Sequence, residues 1–205
     1  MTTDAIDIAP RLRGRPREFD MDAALDQALR VFSERGYYAA SISELTEAMS
    51  LTAGSVYKAF GDKRGVFLAA FDRYRHVRQG LIDECLAEVA NGYEKLRALV
   101  TFFAEASCGE IGRRGCLVVG SATELALFDA EVAGRVSVAF DFDEQRILDL
   151  IRLGQADGSI PQHVDAEGVA CAMLCLTKGM RVIGKTGRRH EHMLAVTEAA
   201  MKLLN

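Results

Sequence analysis

The fold of this chain is decided by residues 41–63, which read SISELTEAMSLTAGSVYKAFGDK. Ser41 and Glu44 match a capping box, in which the serine hydroxyl and the glutamate carboxylate each satisfy a free backbone amide at a helix start. Residues 50–52 interrupt that short helix, and their threonine is a suitable N-cap for a second short helix over 53–59. Two short helices joined by a tight turn predict a helix-turn-helix.

Apolar residues at helical spacing predict which faces of the two short helices are buried. The predicted buried positions are Ile42, Leu45 and Ala48 or Met49 in the first helix, and Ala53, Val56 and Phe60 in the second. A longer amphipathic helix precedes them, from an N-cap at Asp20 to Gly36. Another long helix follows, capped by Asp62 and extending to residues 91–92.

The rest of the chain is predicted to be helical as well. Its three prolines stand at positions 10, 16 and 161, so strong helix breakers are rare. Further helices are expected over 94–108, 117–127, 129–157, 165–186 and 190–204. The glycines at 109, 112 and 115 predict a flexible connection between the first two of these. Because no segment alternates apolar and polar residues as a strand does, the predicted fold class is all-α.

Composition limits the class of protein. The chain has 205 residues, of which 49% are hydrophobic and 26% charged, as in ordinary globular proteins. Its longest apolar run, 169–176, is too short to cross a bilayer, and residues 1–10 lack the pattern of a secretory signal. Five cysteines, an odd number, favour reduced thiols over a disulfide framework. We therefore expect a cytoplasmic protein with no membrane association.

Residues 20–71 resemble the DNA-binding domain of the TetR family of transcriptional regulators. The resemblance rests on the order of the helices and on a set of motif residues, which are Phe32, Gly36-Tyr37, the segments 41–45 and 54–60, and Asp62-Lys63. It implies a homodimeric regulator, in most cases a repressor, that binds palindromic operator DNA and is released by a small molecule or by thiol modification. The implied domains are a flexible basic arm over 1–19, a three-helix DNA-binding domain over 20–65, and a helical effector and dimerisation domain over 66–205.

The resemblance also implies which residues contact DNA. The phosphate-binding residues would be Ser41, Tyr57 and Lys63, and the residues facing base edges would be Ser43, Ala53, Gly54, Ser55 and Lys58. Hydroxyl and ammonium groups suit phosphate oxygens, and small side chains at 53–55 allow the backbone to approach the bases closely. The alternative interpretation is that Tyr57 packs in the core and that the two lysines are simply solvated.

Two positions depart from the family pattern. The family has a glycine in the turn between the short helices, where this chain has Ser50. A positive φ at that position would cost a serine on the order of 1 kcal/mol. The family also has a polar residue before Phe60, and Ala59 in this chain would remove one phosphate contact.

The N-terminal segment carries a local cluster of positive charge, although the whole chain has a net charge of −4. Arg13-Gly14-Arg15-Pro16 resembles the core of an AT-hook, whose arginines lie in a narrow A·T minor groove. Arg13 and Arg15 are therefore expected to extend the contact with DNA. The alternative is a solvated tail.

The C-terminal part is expected to bind an effector and a second copy of the chain. The run 169–176 is apolar on every side of its helix, so that helix must bury two faces. We expect a homodimer through the last two helices, 165–186 and 190–204. An apolar effector cavity could be lined by Phe102, Phe103, Phe128 and Phe140, which could equally be core residues. The sequence does not identify the effector.

Cys116 is the candidate sensing residue. It stands at a predicted helix start and follows Arg113-Arg114, and both features favour the thiolate. The segment Gly115-Cys116-Leu117 is similar to the NemR-like electrophile-sensing branch of the family, and Cys108 could act as a resolving partner. The alternative is that Cys116 is a small buried residue.

Other functional classes are less well supported. No catalytic constellation or phosphate-binding loop is present, so neither an enzyme nor a bound cofactor is expected. A resident metal is not expected either, since His190 and His192 point in different directions on a helix. Two alternatives stay open, which are a metal-responsive regulator using Cys108, Cys116 and one of these histidines, and a helical interaction module without DNA binding.

Overall fold

The computed structural model of the chain describes residues 20–205, which form ten α-helices and no strand. The helices, α1 to α10, are Met21–Arg35, Ile42–Ala48, Ala53–Phe60, Lys63–Ala87, Gly92–Glu105, Gly109–Arg114, Leu117–Glu124, Ala130–Asp157, Ala166–Ile183 and His190–Met201. Short 3₁₀ turns follow the last two of them. The all-α prediction is confirmed. The arm predictions, including Arg13 and Arg15, lie outside the described residues.

The first and fourth helices begin at the caps that local chemistry predicts. The Asp20 carboxylate accepts hydrogen bonds from two amides of the first turn of α1, and Gly36, at φ 82°, ends that helix. The Asp62 carboxylate caps α4 through the Gly65 amide, at 2.7 Å. Helix α4 ends at Ala87, about one turn before the predicted end.

Two hydrophobic cores stabilise the molecule. The first joins α1–α4 to α7 and to the start of α8, and at its centre the rings of Phe32 and Phe67 meet edge to face, with centroids 5.2 Å apart. The second joins α5, α8, α9 and α10, with Met173 and Ile151 fully enclosed. Helix α4 is continuous across residue 65, and the first core includes residues on both sides of the domain boundary predicted there.

The segment 109–114 corrects one prediction. It forms helix α6 and is not a flexible connection. Gly112 is needed there for close packing, since a β-carbon on it would lie 2.3 Å from the Ser107 carbonyl oxygen. Gly109 and Gly115, at φ 57° and 91°, are the points where the backbone enters and leaves the helix. None of the described helices is both long and apolar enough to span a membrane.

Candidate nucleic-acid interface and thiol site

The helix-turn-helix is held by its own caps and by two buried anchors. The Ser41 amide donates to the Glu44 carboxylate at 2.9 Å, and the Glu44 amide donates to the Ser41 hydroxyl at 3.1 Å, so the predicted capping box is present. The Thr52 hydroxyl caps α3 in the same way, through the Ser55 amide at 3.2 Å. Leu45 and Val56 are fully buried and fix α2 and α3 against the core.

The turn between α2 and α3 contains the strained residue that the sequence predicts. Ser50 has φ 54°, and it is the one residue other than glycine with positive φ in the described part of the chain. The strain is tolerated because the turn is closed by hydrogen bonds from the amides of Ser50 and Leu51 to carbonyls of α2.

Helix α3 presents a polar face with no acidic residue. Ala53, Gly54, Tyr57 and Lys58 are all exposed, and they follow the spacing of one helix face. Tyr57 is 50% exposed, so the alternative that it packs in the core is wrong. The prediction that Ala53 faces inward is also wrong, because Ala53 is exposed and the contacts of α3 with the core are made by Val56 and the partly buried Phe60.

The other sequence-predicted contact residues surround this face. Ser41 and Ser43 are exposed at the start of α2, whereas Ser55 is partly buried and its hydroxyl lies 3.0 Å from that of Thr52. The Lys63 ammonium group lies 3.4 Å from the Tyr38 carbonyl oxygen and 4.5 Å from the centre of the Tyr37 ring. Lys63 is therefore held in position at the start of α4 by the loop that follows α1.

That loop carries a contact that the sequence analysis missed. The Glu124 carboxylate, at the end of α7, accepts hydrogen bonds from the backbone amides of Tyr37 at 3.0 Å and Tyr38 at 2.8 Å. The two partners are 86–87 residues apart in the chain, so no local pattern could reveal the pair. Helix α7 is thereby tied directly to the helix-turn-helix.

A second tie joins the start of α4 to the start of α8. The Arg64 guanidinium donates two hydrogen bonds to Asp129, at 2.6 and 2.9 Å, and one to Glu131 at 2.7 Å. The hydrogen bonds from Arg64 hold the pKa of the Asp129 carboxyl well below its usual range. The fork geometry of the arginine makes this a directional link between the two parts of the molecule.

Cys116 lies at the other end of α7, among side chains from α4 and α9. The Tyr74 hydroxyl donates a hydrogen bond to the Cys116 sulfur at 3.2 Å. The guanidinium of Arg181, a residue only 2% exposed, donates to the Gly115 carbonyl oxygen at 2.6 Å. Tyr74 and Cys116 also line a small cavity of about 40 Å³, together with Arg78, Phe103, Asp143 and Lys178.

This environment favours the thiolate. Burial raises the pKa of Cys116, but the charges of Arg181 and Lys178 and the hydrogen bond from Tyr74 outweigh it, so the pKa is lower than that of an ordinary thiol. The sequence pattern indicates Arg113 and Arg114 as the source of the positive charge. In the structure Arg114 instead pairs with Glu34 and Glu110, and the charges that act on the sulfur come from α9.

The remaining predicted effector residues separate into three groups. Phe103 lines the cavity beside Cys116, and Phe140 lies near it, with its ring centre 5.6 Å from the Lys178 ammonium group. Phe102 stacks against Arg78, at 4.4 Å. Phe128 is 77% exposed after the end of α7, so the prediction that it lines an apolar cavity is corrected.

Cys108 does not share the environment of Cys116. Its thiol donates to the Ala104 carbonyl oxygen at 3.1 Å, and burial together with Glu105 raises its pKa. In residues 20–205, no three His, Cys, Asp or Glu side chains are grouped as metal ligands would be. The metal-responsive alternative therefore has no supporting geometry in that part of the chain.

Comparison with known proteins gives the family. Residues 24–70 match the model of bacterial regulatory proteins of the tetR family, and residues 92–200 match the tetracyclin repressor-like C-terminal domain. The HTH-type transcriptional repressor ComR of Escherichia coli strain K12 is 30% identical over 212 aligned residues, which cover 99% of this chain and 97% of ComR.

Solved structures agree with the sequence matches. A cysteine variant of the TetR family transcriptional regulator CifR, in complex with 26 bp double-strand operator DNA, has a TM-score of 0.83 and 31% identity, covering 94% of this chain and 100% of that one. The regulatory protein TetR from Rhodobacter sphaeroides shares the fold, with a TM-score of 0.79, 23% identity, and coverage of 89% and 97%. The resemblance drawn from residues 20–71 is confirmed, and the chain belongs to the TetR family of transcriptional regulators.

Proposed function

We propose that this chain is a homodimeric repressor that binds a palindromic operator through α2 and α3 and leaves it when the site around Cys116 is occupied or modified. The observation that carries the proposal is the face of α3, which is exposed, carries Tyr57 and Lys58 and is free of carboxylates, while the opposite side is fixed by the buried Val56. The operator complex of CifR and the identification of ComR as a transcriptional repressor support the same role.

The contact residues follow from position and chemistry. Tyr57 and Lys63 bind phosphates, and Lys58 and Ser43 reach base edges in the major groove. Ala53 and Gly54 allow the backbone of α3 to approach the DNA. Ser41 adds a phosphate contact from the α2 cap, although its hydroxyl is already bonded to Glu44, and Ser55 reaches a base only if its hydroxyl leaves Thr52.

The dimer forms through α8 and α9. These helices pack against each other and leave apolar side chains exposed on their outer side, among them Val138 and Phe142 on α8 and Val182 on α9. The apolar stripe of α10, by contrast, is buried against α5, and the outer side of α10 carries polar residues. Family membership favours a second copy of the chain, packed through the same face, as the partner that covers these apolar side chains. This revises the sequence prediction, which named the last two helices.

Helix α7 transmits the signal. Cys116 is the N-cap of this helix, and Glu124 is its last residue, whose carboxylate holds the loop beside Lys63. Modification of the thiol or entry of a ligand beside it shifts α7, and the shift changes the separation of the two α3 helices in the dimer. Phe103 and Phe140 are the aromatic neighbours of such a ligand.

The direct test is gel retardation with the DNA upstream of the chain's own gene. Wild-type protein should retard this DNA, and Lys58→Ala should weaken binding by about 5- to 150-fold, since a good base contact contributes about 1–3 kcal/mol. Lys202→Ala, at an exposed position far from α3 in the chain, is the matched control. Retardation equal in all three proteins would contradict the assigned face.

The arm is proposed to add minor-groove contacts through Arg13 and Arg15. A chain without residues 1–17 should bind the same operator more weakly. The slope of log affinity against log salt should become shallower by a few counterions, as arginine–phosphate contacts are lost. An unchanged slope would show that the arm does not contact the operator.

A further inference from the structure

Two adjacent tyrosines in the loop between α1 and α2 have opposite environments. The Tyr37 ring packs against the first core, with its centre 6.1 Å from that of Phe32 and 5.1 Å from that of Phe67. Tyr38 is 61% exposed, and its ring meets that of Tyr37 with the centres 5.5 Å apart. The loop therefore presents one aromatic side chain to the outside while its neighbour in the chain anchors it to the core.

The backbone of Tyr38 is fixed on both sides. Its amide donates to the Glu124 carboxylate at 2.8 Å, and its carbonyl oxygen accepts a hydrogen bond from the Lys63 ammonium group at 3.4 Å. The Tyr37 ring supports both residues, since the Lys63 nitrogen lies 4.5 Å from its centre. An exposed tyrosine on a fixed backbone has few rotatable bonds left to order, so it binds a partner at a low cost in conformational entropy.

The groups around Tyr38 favour a phosphate as its partner. Lys63 is the first residue of α4 and brings a positive charge to the Tyr37 ring, which Tyr38 also contacts. Ser41, three residues further along the chain, is the exposed N-cap of α2. A phenolic hydroxyl is uncharged at neutral pH and donates one hydrogen bond, so it binds a phosphate oxygen without repelling it. Tyr38 and Lys63 thus offer a neutral donor and a cation side by side.

We propose that the Tyr38 hydroxyl donates a hydrogen bond to an operator phosphate, and that Lys63 binds the same phosphate. This assignment rests on the proposed function, because it adds a residue to that DNA interface. Glu124 holds the backbone of Tyr38, so the contact depends on the position of α7. A phosphate contact carries no direct sequence information, and Tyr38 therefore strengthens binding to every operator sequence to a similar extent.

Tyr38→Phe is the first test, since it removes the hydroxyl and keeps the ring against Tyr37. Operator affinity of the full-length protein, measured by fluorescence anisotropy, should fall about 10- to 100-fold, because a dimer loses two hydrogen bonds to charged acceptors. The slope of log affinity against log salt should stay the same, whereas Lys63→Met should reduce it by about two. Tyr93→Phe loses the same atom beside the second core, and this matched control should bind like the wild type.

Operators that carry a neutral methylphosphonate at one position of each half-site identify the phosphate. At one such position, the replacement should weaken binding by the wild type and should weaken binding by Tyr38→Phe several-fold less. Lys63→Met should show the same smaller loss at that position, and elsewhere the losses of all three proteins should be equal. Each loss is a ratio of two affinities of one protein, so a variant of lower stability gives the same comparison.

The outcomes separate this contact from the proposed function. If the wild type binds the operator and Tyr38→Phe binds it equally well, the Tyr38 contact is wrong and the proposed function stands. Equal methylphosphonate losses at every position would overturn the contact as well, and so would different positions for Tyr38→Phe and Lys63→Met. A wild-type protein that binds no operator DNA contradicts the proposed function, and the contact with it.

Discussion

The outer face of α3 and the cavity beside Cys116 place positive charge in opposite environments. On α3, Lys58 is exposed, and the residues that cap and anchor this helix lie close to Lys58 in the chain. Beside Cys116, Arg181 is buried, and the side chains that line the neighbouring cavity come from five different helices. Exposed charge on a rigid helix suits a large polyanion, whereas the buried charge of Arg181 acts on the neighbouring thiol and lowers its pKa.

The two regions are connected by one short helix. Helix α7 has Cys116 at its start and Glu124 near the loop of Tyr37 and Tyr38 at its end. Different contacts stabilise the two regions, and we expect α7 to couple them. The predictions below separate them or break the connection.

The largest effects are expected from two glycines, one at the start of α4 beside α3 and one where α5 packs against α8. A β-carbon at Gly65 would lie 1.8 Å from the Phe60 carbonyl oxygen, and one at Gly92 would lie 2.1 Å from the Gly154 amide nitrogen. Each alanine substitution forces backbone to move and should cost on the order of 2–4 kcal/mol of unfolding free energy. Gly65→Ala should also abolish operator binding, because it displaces α3 relative to α4. Gly92→Ala should disturb mainly the second core.

Gly80→Ala is the matched control for both substitutions. Gly80 lies inside α4, and a β-carbon there would meet nothing within 4 Å. This change should stabilise the protein by up to about 1 kcal/mol, since alanine has the higher helix propensity. Urea unfolding followed by circular dichroism measures all three variants, and a Gly65→Ala protein as stable as Gly80→Ala would contradict the packing account.

The next largest effect concerns the connection. Glu124→Ala removes the acceptor of two backbone amides and should cost about 1–3 kcal/mol if water does not replace it. Its more specific consequence is functional. In the wild type, alkylation of Cys116 should weaken operator binding, whereas in Glu124→Ala the alkylated and free forms should bind with nearly equal affinity.

Glu124→Gln is the control for that experiment, since it keeps one acceptor oxygen and should retain part of the coupling. For each variant, fluorescence anisotropy with labelled operator gives the affinities of the alkylated and the free form. These are compared with the same two affinities of the wild type. If alkylation weakened operator binding by Glu124→Ala as much as by the wild type, the signal would not depend on the contact that α7 makes through Glu124.

A smaller, pH-dependent effect is expected at the Arg64–Asp129 tie. Asp129 has a lowered pKa in the folded state, so the stability that it contributes is present above its unfolded pKa of about 3.9 and is lost as the pH falls. Asp129→Asn keeps the cap on α8 but removes the charge. Its Tm should lie below that of the wild type at pH 7, and the difference should shrink toward pH 3. A Tm difference that is independent of pH would show that the charge contributes nothing.

The smallest effect is expected at Ser50. Replacing it with glycine relieves the strain of φ 54° and should raise the unfolding free energy by about 0.5–1 kcal/mol, without changing operator affinity by more than about twofold. Ser43→Gly, on the same exposed surface but in ordinary helical geometry, should be destabilising instead. A loss of stability in Ser50→Gly would show that the turn does not store strain.

The sequence predicts the helix-turn-helix well because its determinants are local. The box of Ser41 and Glu44, the cap at Thr52 and the positive φ at Ser50 each depend on residues within a few positions of one another. The same locality explains an error, since Gly109 and Gly112 indicate flexibility by composition, although Gly109 supplies the positive φ at the start of α6 and Gly112 permits its close packing.

The thiol site could be predicted only in part. Cys116 stands out by its place at a helix start, but Arg181 and Tyr74, which give the sulfur its environment, are 65 and 42 residues away in the chain. Their approach depends on how α4 and α9 pack, which no spacing rule supplies. Phe128 shows the converse, because an aromatic residue that looks like cavity lining lies at the surface.

Hydroxyl-radical footprinting of the upstream operator tests the central claim most directly. A symmetric dimer that inserts two copies of α3 should protect two half-sites related by a dyad, and Lys58→Ala should weaken both equally. A single protected region without symmetry, or two regions that Lys58→Ala leaves unchanged, would contradict the account of α3 as the element that reads DNA.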